Sequence, residues 1–297
     1  MQQLRTYKAV PLFRYAVLSV TFLILLSFFL GCKGQPSKDA QEALNKDLIS
    51  AVFFNNDLKV KWVLSDRADP DTRDKNGRSV LSIAIENGNA EIVRALLDKG
   101  ANPNTRNNAG QTVLMIAAYR GNTGIVQILL DKGADVAPRD NSSITALLYA
   151  VMRGHTSVAQ KLIDGGAKVN DKGFDGSSAL MYAIREGFDE LVRLLLDKGA
   201  DPNVKDSDMT ALMIAARNGN CKIVNALLEK GANVNAKSAN MKWTALLFAV
   251  NKGHSDIVKA LIEKGADVRS EDGVSPLKLA KGNETIIQML RNSGSEK

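Results

Sequence analysis

Histidine and cysteine are scarce in this sequence, with two of each among 297 residues. Two cysteines cannot build the disulfide framework of a small secreted protein. Two histidines leave little room for a histidine-based metal cage or a multi-histidine active site. Hydrophobic residues make up 45% and charged residues 24%, which are ordinary globular values that exclude a wholly disordered chain or a polytopic membrane protein.

The net excess of positive charge is also small once the N-terminus is set aside. The net charge is +7, but Arg5, Lys8 and Arg14 supply three of these charges within the first 31 residues, where no acidic residue occurs. The excess on the rest of the chain is mild, whereas nucleic-acid binders usually carry a concentrated basic face. We therefore expect no nucleic-acid partner.

The N-terminal segment has the pattern of an export signal. The charged start is followed by an uncharged run from Tyr15 to Leu30, and then by the small residue Gly31 and the polar stretch KGQPSKDAQE. This order is typical of a secretory signal. The run would span about 24 Å as a helix, which is short for a bilayer core of about 30 Å. Residues 1–31 are therefore assigned to a signal peptide, with an uncleaved membrane anchor as the alternative.

The segment Phe29-Leu30-Gly31-Cys32 resembles the lipobox of bacterial lipoproteins. The resemblance implies that Cys32 is the lipidation site, that the signal is cut before it, and that two or more acyl chains hold the body stably to a membrane. Lys33 stands where Asp would imply retention at the inner membrane, so the resemblance favours an outer-membrane protein that faces the periplasm. Phe29 and Leu30 depart from the usual lipobox residues. A single-span anchor in the inner membrane, or an ordinary signal with an incidental cysteine, therefore stays open.

A fixed repeat covers most of the remaining chain. A Ser or Thr followed two residues later by Leu recurs at Ser79, Thr112, Thr145, Ser178, Thr210, Thr244 and Ser275. In the first six units an Ala follows five residues after the Ser or Thr, and two Gly residues stand further on. Spacings of 31 to 34 residues with this many matches predict a stacked repeat architecture.

Each unit has the pattern of two short helices. The Ser or Thr can cap the first helix, because its side chain can accept a backbone N–H. The first Gly can end that helix in the left-handed conformation. The second helix carries apolar pairs four residues apart, such as Ile92/Val93 with Leu96/Leu97, which form one helical face. Neither helix is long enough to be stable alone, so neighbouring units must bury the shared face.

These residues resemble the ankyrin repeat, whose period is 33 residues. The resemblance implies an all-α solenoid over residues 44–292, with six full repeats between two caps. The family's Thr-Pro-Leu-His appears here in variants such as TALM at 210–213, and only Ser275-Pro276-Leu277 keeps the Pro. The N-terminal cap, residues 44–73, is expected to expose more charge. Residues 32–43 are predicted to be a tether and residues 293–297 a disordered tail.

The remaining reactive residues have structural explanations. His155 and His254 occupy the turn between the two helices of their repeats, where Asn stands in others. Cys221 has no general base placed near it in the sequence, and the Gly residues match no phosphate loop. Asp and Asn in the inter-repeat loops suit tight turns. The sequence therefore predicts no enzyme, no metal site and no cofactor.

The ends of the first helices carry the candidate partner-binding residues. Tyr119, Arg120, Met152, Arg153, Arg185 and Arg217 stand just before the first Gly of their repeats. Stacking is expected to align them into a basic, partly aromatic ladder along the groove that ankyrin proteins use for binding. Such a ladder could dock an acidic protein surface. The alternative is that these cations only stabilise the helix C-termini through the macrodipole.

The loop tips supply a second set of candidates. Their apolar members are Phe174, Met209, Met241 and Trp243, and their polar members include Arg106, Asn107, Asn108, Arg139 and Lys172. Large apolar residues are typical of binding hot spots, although the same residues could pack between adjacent loops.

The sequence as a whole thus predicts a membrane-tethered protein-interaction module of the bacterial envelope, which binds a protein partner through its concave surface. The alternatives are an immunity- or inhibitor-type protein that neutralises a secreted toxin or hydrolase, and a structural envelope scaffold.

Overall fold

The computed structural model describes residues 36–269 and 274–294. The predicted signal lies outside these ranges. So do Cys32, the next three residues of the predicted tether, and the last three residues of the predicted tail. The described residues form sixteen helices. They are α1 Lys38–Phe53, α2 Asp57–Ser65, α3 Val80–Glu86, α4 Ala90–Asp98, α5 Val113–Arg120, α6 Thr123–Asp131, α7 Ala146–Met152, α8 Thr156–Asp164, α9 Ala179–Glu186, α10 Asp189–Asp197, α11 Ala211–Asn218, α12 Cys221–Glu229, α13 Ala245–Lys252, α14 Ser255–Glu263, α15 Pro276–Leu279 and α16 Glu284–Asn292.

The helices form an all-α solenoid of paired units, as the repeat predicts. Each odd-numbered helix packs against the even-numbered helix that follows it. First helices also stack on first helices and second helices on second helices, as in the row α2, α4, α6 and α8. Between units the chain makes hairpins closed by isolated antiparallel bridges, such as Arg73 with Ser79 and Arg106 with Thr112.

The predicted caps begin the first helices. Ser79, Thr112 and the other five Ser or Thr residues of the repeat each accept a hydrogen bond from the backbone N–H three residues on. Gly121 ends α5 in the left-handed conformation, with φ of 77°. The repeat therefore fixes where each first helix starts and, with its Gly, where it stops.

The core follows the repeated positions. In each of the first six units, the Leu two residues after the cap is buried, and the Ala five residues after the same cap is buried too. The second helices add their apolar pairs, such as Ile92/Val93 and Leu96/Leu97. One continuous apolar cluster results, because each unit covers the face that its neighbour leaves open.

The hairpins are joined by side-chain hydrogen bonds that repeat along the array. Asp71 accepts a bond from the backbone N–H of Asn102 in the next unit at 2.8 Å. Asn104 and Asp135 repeat this pairing one unit later, also at 2.8 Å. In addition to their predicted role in turns, these Asp and Asn residues thus link one loop to the next.

The two histidines join adjacent repeats. His155 Nε2 lies 3.1 Å from the carbonyl oxygen of Tyr119 in the preceding unit, and His254 Nε2 lies 3.3 Å from that of Arg217. Both residues cap a second helix without a side-chain capping bond. Their rings therefore satisfy carbonyls at the ends of the preceding first helices, which is a structural role.

The N-terminal unit differs from the others. Its first helix begins at Lys38, before the expected start of the array at 44, because Ser37 caps it by accepting from the N–H of Ala40. The helix has 16 residues and takes the place of a hairpin. Besides charged side chains, this unit exposes the large apolar side chains of Phe53, Phe54, Leu58 and Trp62.

Candidate protein-binding surface

One column of side chains runs along the first helices, next to the hairpins. Its members stand seven residues after the cap, and they are Glu86, Tyr119, Met152, Arg185, Arg217 and Asn251, with Phe53 in the same place 33 residues before Glu86. Contacts place the column against the hairpin ends, since Arg78 pairs with Glu86 at 3.4 Å and Arg185 donates to Ser177 Oγ at 2.9 Å. We call this set the groove column.

The four arginines of the predicted ladder do not form one row. Arg185 and Arg217 belong to the groove column, whereas Arg120 and Arg153 stand eight residues after their caps. One residue turns a side chain by about 100° around a helix. The predicted ladder therefore consists of two rows of cations, and the two rows have different surroundings.

Arg185 is held by its own scaffold. Its guanidinium donates to Ser177 Oγ at 2.9 Å and to Asp206 Oδ2 in the next hairpin at 3.1 Å, and Asp175 lies 3.8 Å away. Burial acts to raise the pKa of Asp206, but backbone N–H bonds from Met209 and Asp208 and the bond from Arg185 outweigh it, so the pKa is lowered. Arg185 thus links two hairpins and has little charge left for a partner.

Arg217 covers a methionine. Its Nη1 lies 3.4 Å from Met209 Sδ, and Met209 is only 6% exposed. The packing alternative therefore holds for Met209, whose side chain belongs to the core and not to an exposed hot spot. Within the described ranges Arg217 has no carboxylate partner, so its charge stays available above the buried sulfur.

An aromatic cluster stands in the middle of the groove. Tyr119 is exposed and meets the ring of Tyr149 edge-on, with centroids 5.9 Å apart. The Arg153 guanidinium lies over the Tyr119 ring at 5.0 Å from its centroid, a geometry that favours a cation–π attraction. This cluster joins two repeats through residues of both rows.

The hydroxyl group of Tyr149 is held in place by two hydrogen bonds. Its hydroxyl donates to Asp140 Oδ2 at 2.6 Å and accepts from Gln111 Nε2 at 2.7 Å. Burial and the bond to Asp140 raise the pKa of Tyr149. The sequence analysis missed this residue, which stands four residues after the cap Thr145, on the groove side of α7.

Arg120 and Met152 complete the exposed part of the groove centre. Both side chains are exposed. In the part of the chain that the structure describes, Arg120 makes no ion pair and no side-chain hydrogen bond. Arg120 does lie in the last turn of α5, where the macrodipole favours a cation, but this leaves its hydrogen-bond donors free for a partner.

The loop-tip candidates divide into exposed and packed residues. Phe174 is 86% exposed and Met241 is also exposed. Trp243 is half-buried, because its ring meets Phe248 at 5.2 Å between centroids. Phe174 and Met241 therefore remain candidates on exposure, whereas Trp243 offers only part of its ring.

The arginines at the loop tips bridge adjacent hairpins. Arg106 Nη1 donates to the carbonyl oxygens of Gly110 and Arg139, at 3.2 and 3.1 Å. Arg139 repeats this with Ser143 and Lys172, at 2.9 and 2.6 Å. Their spacing of 33 residues could have revealed this role, since the acceptors recur at the same interval.

A groove of about 630 Å³ opens at the N-terminal end of the array. It lies between α1, which contributes Lys46, Ile49 and Phe53, and the first hairpin, which contributes Arg73 and Lys75. The groove exists because α1 replaces a hairpin in the first unit. The sequence analysis missed it, although Phe53 continues the groove column at the repeat period.

Cys221 and the acidic residues form no reactive centre in the described residues. The Cys221 sulfur is half-buried and accepts a bond from Asn225 Nδ2 at 3.6 Å. Among residues 36–269 and 274–294, no group of three His, Cys, Asp or Glu side chains is arranged to hold a metal ion. None of the helices in these ranges has the length and apolar character needed to cross a membrane.

Comparison with protein families matches the array to ankyrin repeats. One model, described as ankyrin repeats (3 copies), matches residues 48–140, 147–238 and 212–297, and a second, described as ankyrin repeats (many copies), matches residues 121–163. These matches cover most of the chain, which therefore belongs to the ankyrin-repeat family. A search of curated proteins finds no match.

Solved ankyrin domains have the same architecture. The human ASB11 ankyrin repeat domain is similar with a TM-score of 0.62 and 25% identity, over 74% of this chain and 98% of that one. The ankyrin repeat domain of Bcl-3, described as a unique member of the IkappaB protein family, gives a TM-score of 0.65 and 29% identity over 73% and 100%. The ankyrin fold is in general a non-catalytic scaffold for protein–protein interaction, and the repeats of this chain indicate a protein–protein interaction module.

Proposed function

We propose that this protein is a membrane-tethered recognition module of the bacterial envelope that binds an acidic protein surface at the centre of its groove. The observation that carries the proposal is the exposed cluster of Tyr119, Arg120, Met152 and Arg153. It combines aromatic and apolar contact area with cations that the scaffold does not neutralise.

The chemistry of this cluster suits protein recognition. Tyr and Arg are among the residues that contribute most at interfaces, because they pair apolar area with directed hydrogen bonds. Tyr119 is held by the ring of Tyr149 and by Arg153, so little conformational freedom is lost on binding. Lys252, at the end of α13, and Arg217 extend the positive character towards the C-terminal end.

The tether rests on residues 1–32. The charged start, the apolar run to Leu30 and the lipobox-like Cys32 support export and lipid attachment, with the array on the periplasmic side and the outer membrane favoured. A Cys32→Ser variant is expected to lose metabolic acyl labelling. Labelling that persists in this variant would mean that the lipid is not on Cys32.

Affinity capture tests the partner. Full-length tagged protein is extracted from membranes of its native cells, and co-purifying proteins are identified by mass spectrometry. The test variant is Arg120→Glu with Arg153→Glu. The matched control is Arg94→Glu with Arg193→Glu, which makes the same charge change at exposed positions of second helices.

The groove proposal expects one stoichiometric partner with the unmodified protein and with the control, and a loss of about tenfold or more in affinity with the groove variant. Equal binding by both folded variants would contradict it. The activity of the captured partner then separates the two envelope roles: a toxin or hydrolase whose activity is suppressed indicates an inhibitor, and an envelope component indicates a scaffold.

A further inference from the structure

The N-terminal unit exposes an unusual amount of apolar surface for the end of a repeat array. Phe54, Leu58 and Trp62 are 76%, 81% and 58% exposed. Terminal units normally present a polar outer face, because no further repeat covers them. An end unit with large exposed apolar residues is instead typical of a surface that meets another apolar phase.

The exposed residues are not part of the repeat pattern. In α2, Val60, Val63 and Leu64 are buried as in the other second helices. Leu58 and Trp62 are one turn apart on the outer side, so they share one face. The next second helix has Glu91 and Ala95 at these positions, 33 residues later. Stacking therefore does not account for Leu58 and Trp62.

The chain enters the array close to this face. Gln41 Nε2 donates to the carbonyl oxygen of Arg67 at 3.0 Å, and the N–H of Asp69 donates to Asn45 Oδ1 at 2.9 Å. The end of α2 thus lies beside the start of α1, and Trp62 is within one turn of that end. Cys32 is four residues before Pro36, and four residues span at most about 14 Å.

The charges around the exposed residues Leu58 and Trp62 are balanced, so they do not favour a charged partner. Residues 36–67 contain five basic and five acidic side chains. Two of the bases are paired nearby, Lys59 with Asp47 at 2.7 Å and Lys46 with Glu42 at 2.8 Å. A balanced surface with an exposed Trp suits the interface of a bilayer, where the indole ring can bury its apolar body and keep its N–H near water.

We propose that Leu58 and Trp62 rest on the bilayer surface, so that the first unit is a membrane contact that orients the array. The inference rests on the proposed tether, which brings this unit to the membrane. The contact is apolar, so it does not depend on salt.

Tryptophan fluorescence can test the contact, because the chain has only two tryptophans. The full chain is purified from membranes and reconstituted into phosphatidylethanolamine–phosphatidylglycerol vesicles, with or without brominated lipid, which quenches tryptophan on contact. Trp243→Phe isolates Trp62. Trp62→Phe isolates Trp243, which lies six units away, and stacked helices are about 10 Å apart.

We expect brominated lipid to quench Trp62 about twofold or more and to leave Trp243 unchanged, at low and at high salt. If Trp243→Phe lowers stability, the difference between the unmodified chain and Trp62→Phe gives the same quantity. Equal quenching of the two tryptophans in protein that co-floats with vesicles would overturn the contact and leave the tether standing.

Two further outcomes are also decisive. Protein that does not co-float would overturn the tether and the contact together. A blue-shifted Trp62 emission that bromine does not quench, and that depends on protein concentration, would assign the patch to a second copy of this chain and overturn the lipid contact.

Discussion

Arg120 and Arg185 lie in the last turns of two first helices that are built alike, yet they have different surroundings. Arg185 donates to Ser177 Oγ and pairs with Asp206 in the next hairpin. Arg120 has no such partner among the described residues and is exposed. Arg120 stands eight residues after its cap, whereas Arg185 stands seven residues after its cap. In a repeat scaffold, the register of a cation thus decides whether it stabilises the array or stays free for a partner.

The glycines that follow these two helices, Gly121 and Gly187, also differ in their surroundings, and there we expect the largest effect. Gly121 has a φ of +77°, and a Cβ there would lie 2.5 Å from the His155 ring. Gly187 has a φ of +73°, but its Cβ would meet only Asn220 Nδ2, at 3.9 Å. Both glycines precede a second helix, so they form a matched pair.

We expect Gly187→Ala to cost about 1 kcal/mol of unfolding free energy through the left-handed conformation alone. Gly121→Ala should cost about 1 kcal/mol more, because the His155 ring must move and lose its bond to the Tyr119 carbonyl. Urea denaturation followed by circular dichroism measures both.

His155→Asn provides the control, since Asn stands at this place in other repeats. In the His155→Asn background, Gly121→Ala should cost no more than Gly187→Ala. An excess cost that remains would mean that the ring is not its cause.

The next prediction concerns the two arginines directly. Arg185→Gln should lower the unfolding free energy by about 0.5–1 kcal/mol, because an ion pair that is partly exposed is lost between two hairpins. Arg120→Gln should change it by less than about 0.5 kcal/mol, the usual range for a surface substitution. If Arg120→Gln proved the more destabilising in the same urea experiment, Arg120 and not Arg185 would be the arginine that stabilises the array.

Counting from the caps shows how much of this could be predicted. The caps, the glycine ends, the buried Leu and Ala and the number of repeats follow from the sequence, because each depends on residues close together in the chain. The two rows of arginines could also have been separated by counting. The partner of Arg185 could not, because the step from Ser178 to Thr210 is 32 residues and this short hairpin places Asp206 within reach of a helix 21 residues earlier.

The N-terminal end was the least predictable region. A period of 33 places Phe53 in the groove column, but it gives no reason for α1 to extend back to Lys38. Ser37 caps the extension locally, and bonds between Gln41 and Arg67 and between Asn45 and Asp69 join it to segments more than 20 residues away. Such long-range contacts leave no periodic signal in a sequence.

The smallest expected effect is on acid stability, and it comes from Asp206, which accepts backbone N–H bonds from Met209 and Asp208 and a bond from Arg185. Folding lowers the pKa of Asp206 below its ordinary value, while in the unfolded chain its carboxyl has that ordinary pKa. A lowered pKa stabilises the fold above the unfolded value, and this contribution is lost as the pH falls towards the folded value. Asp206→Asn has no such titration, so its unfolding free energy should fall less steeply than that of the unmodified protein below about pH 4. Parallel slopes for the unmodified protein and Asp206→Asn, in urea titrations at several acidic pH values, would show that these hydrogen bonds do not lower the pKa of Asp206 on folding.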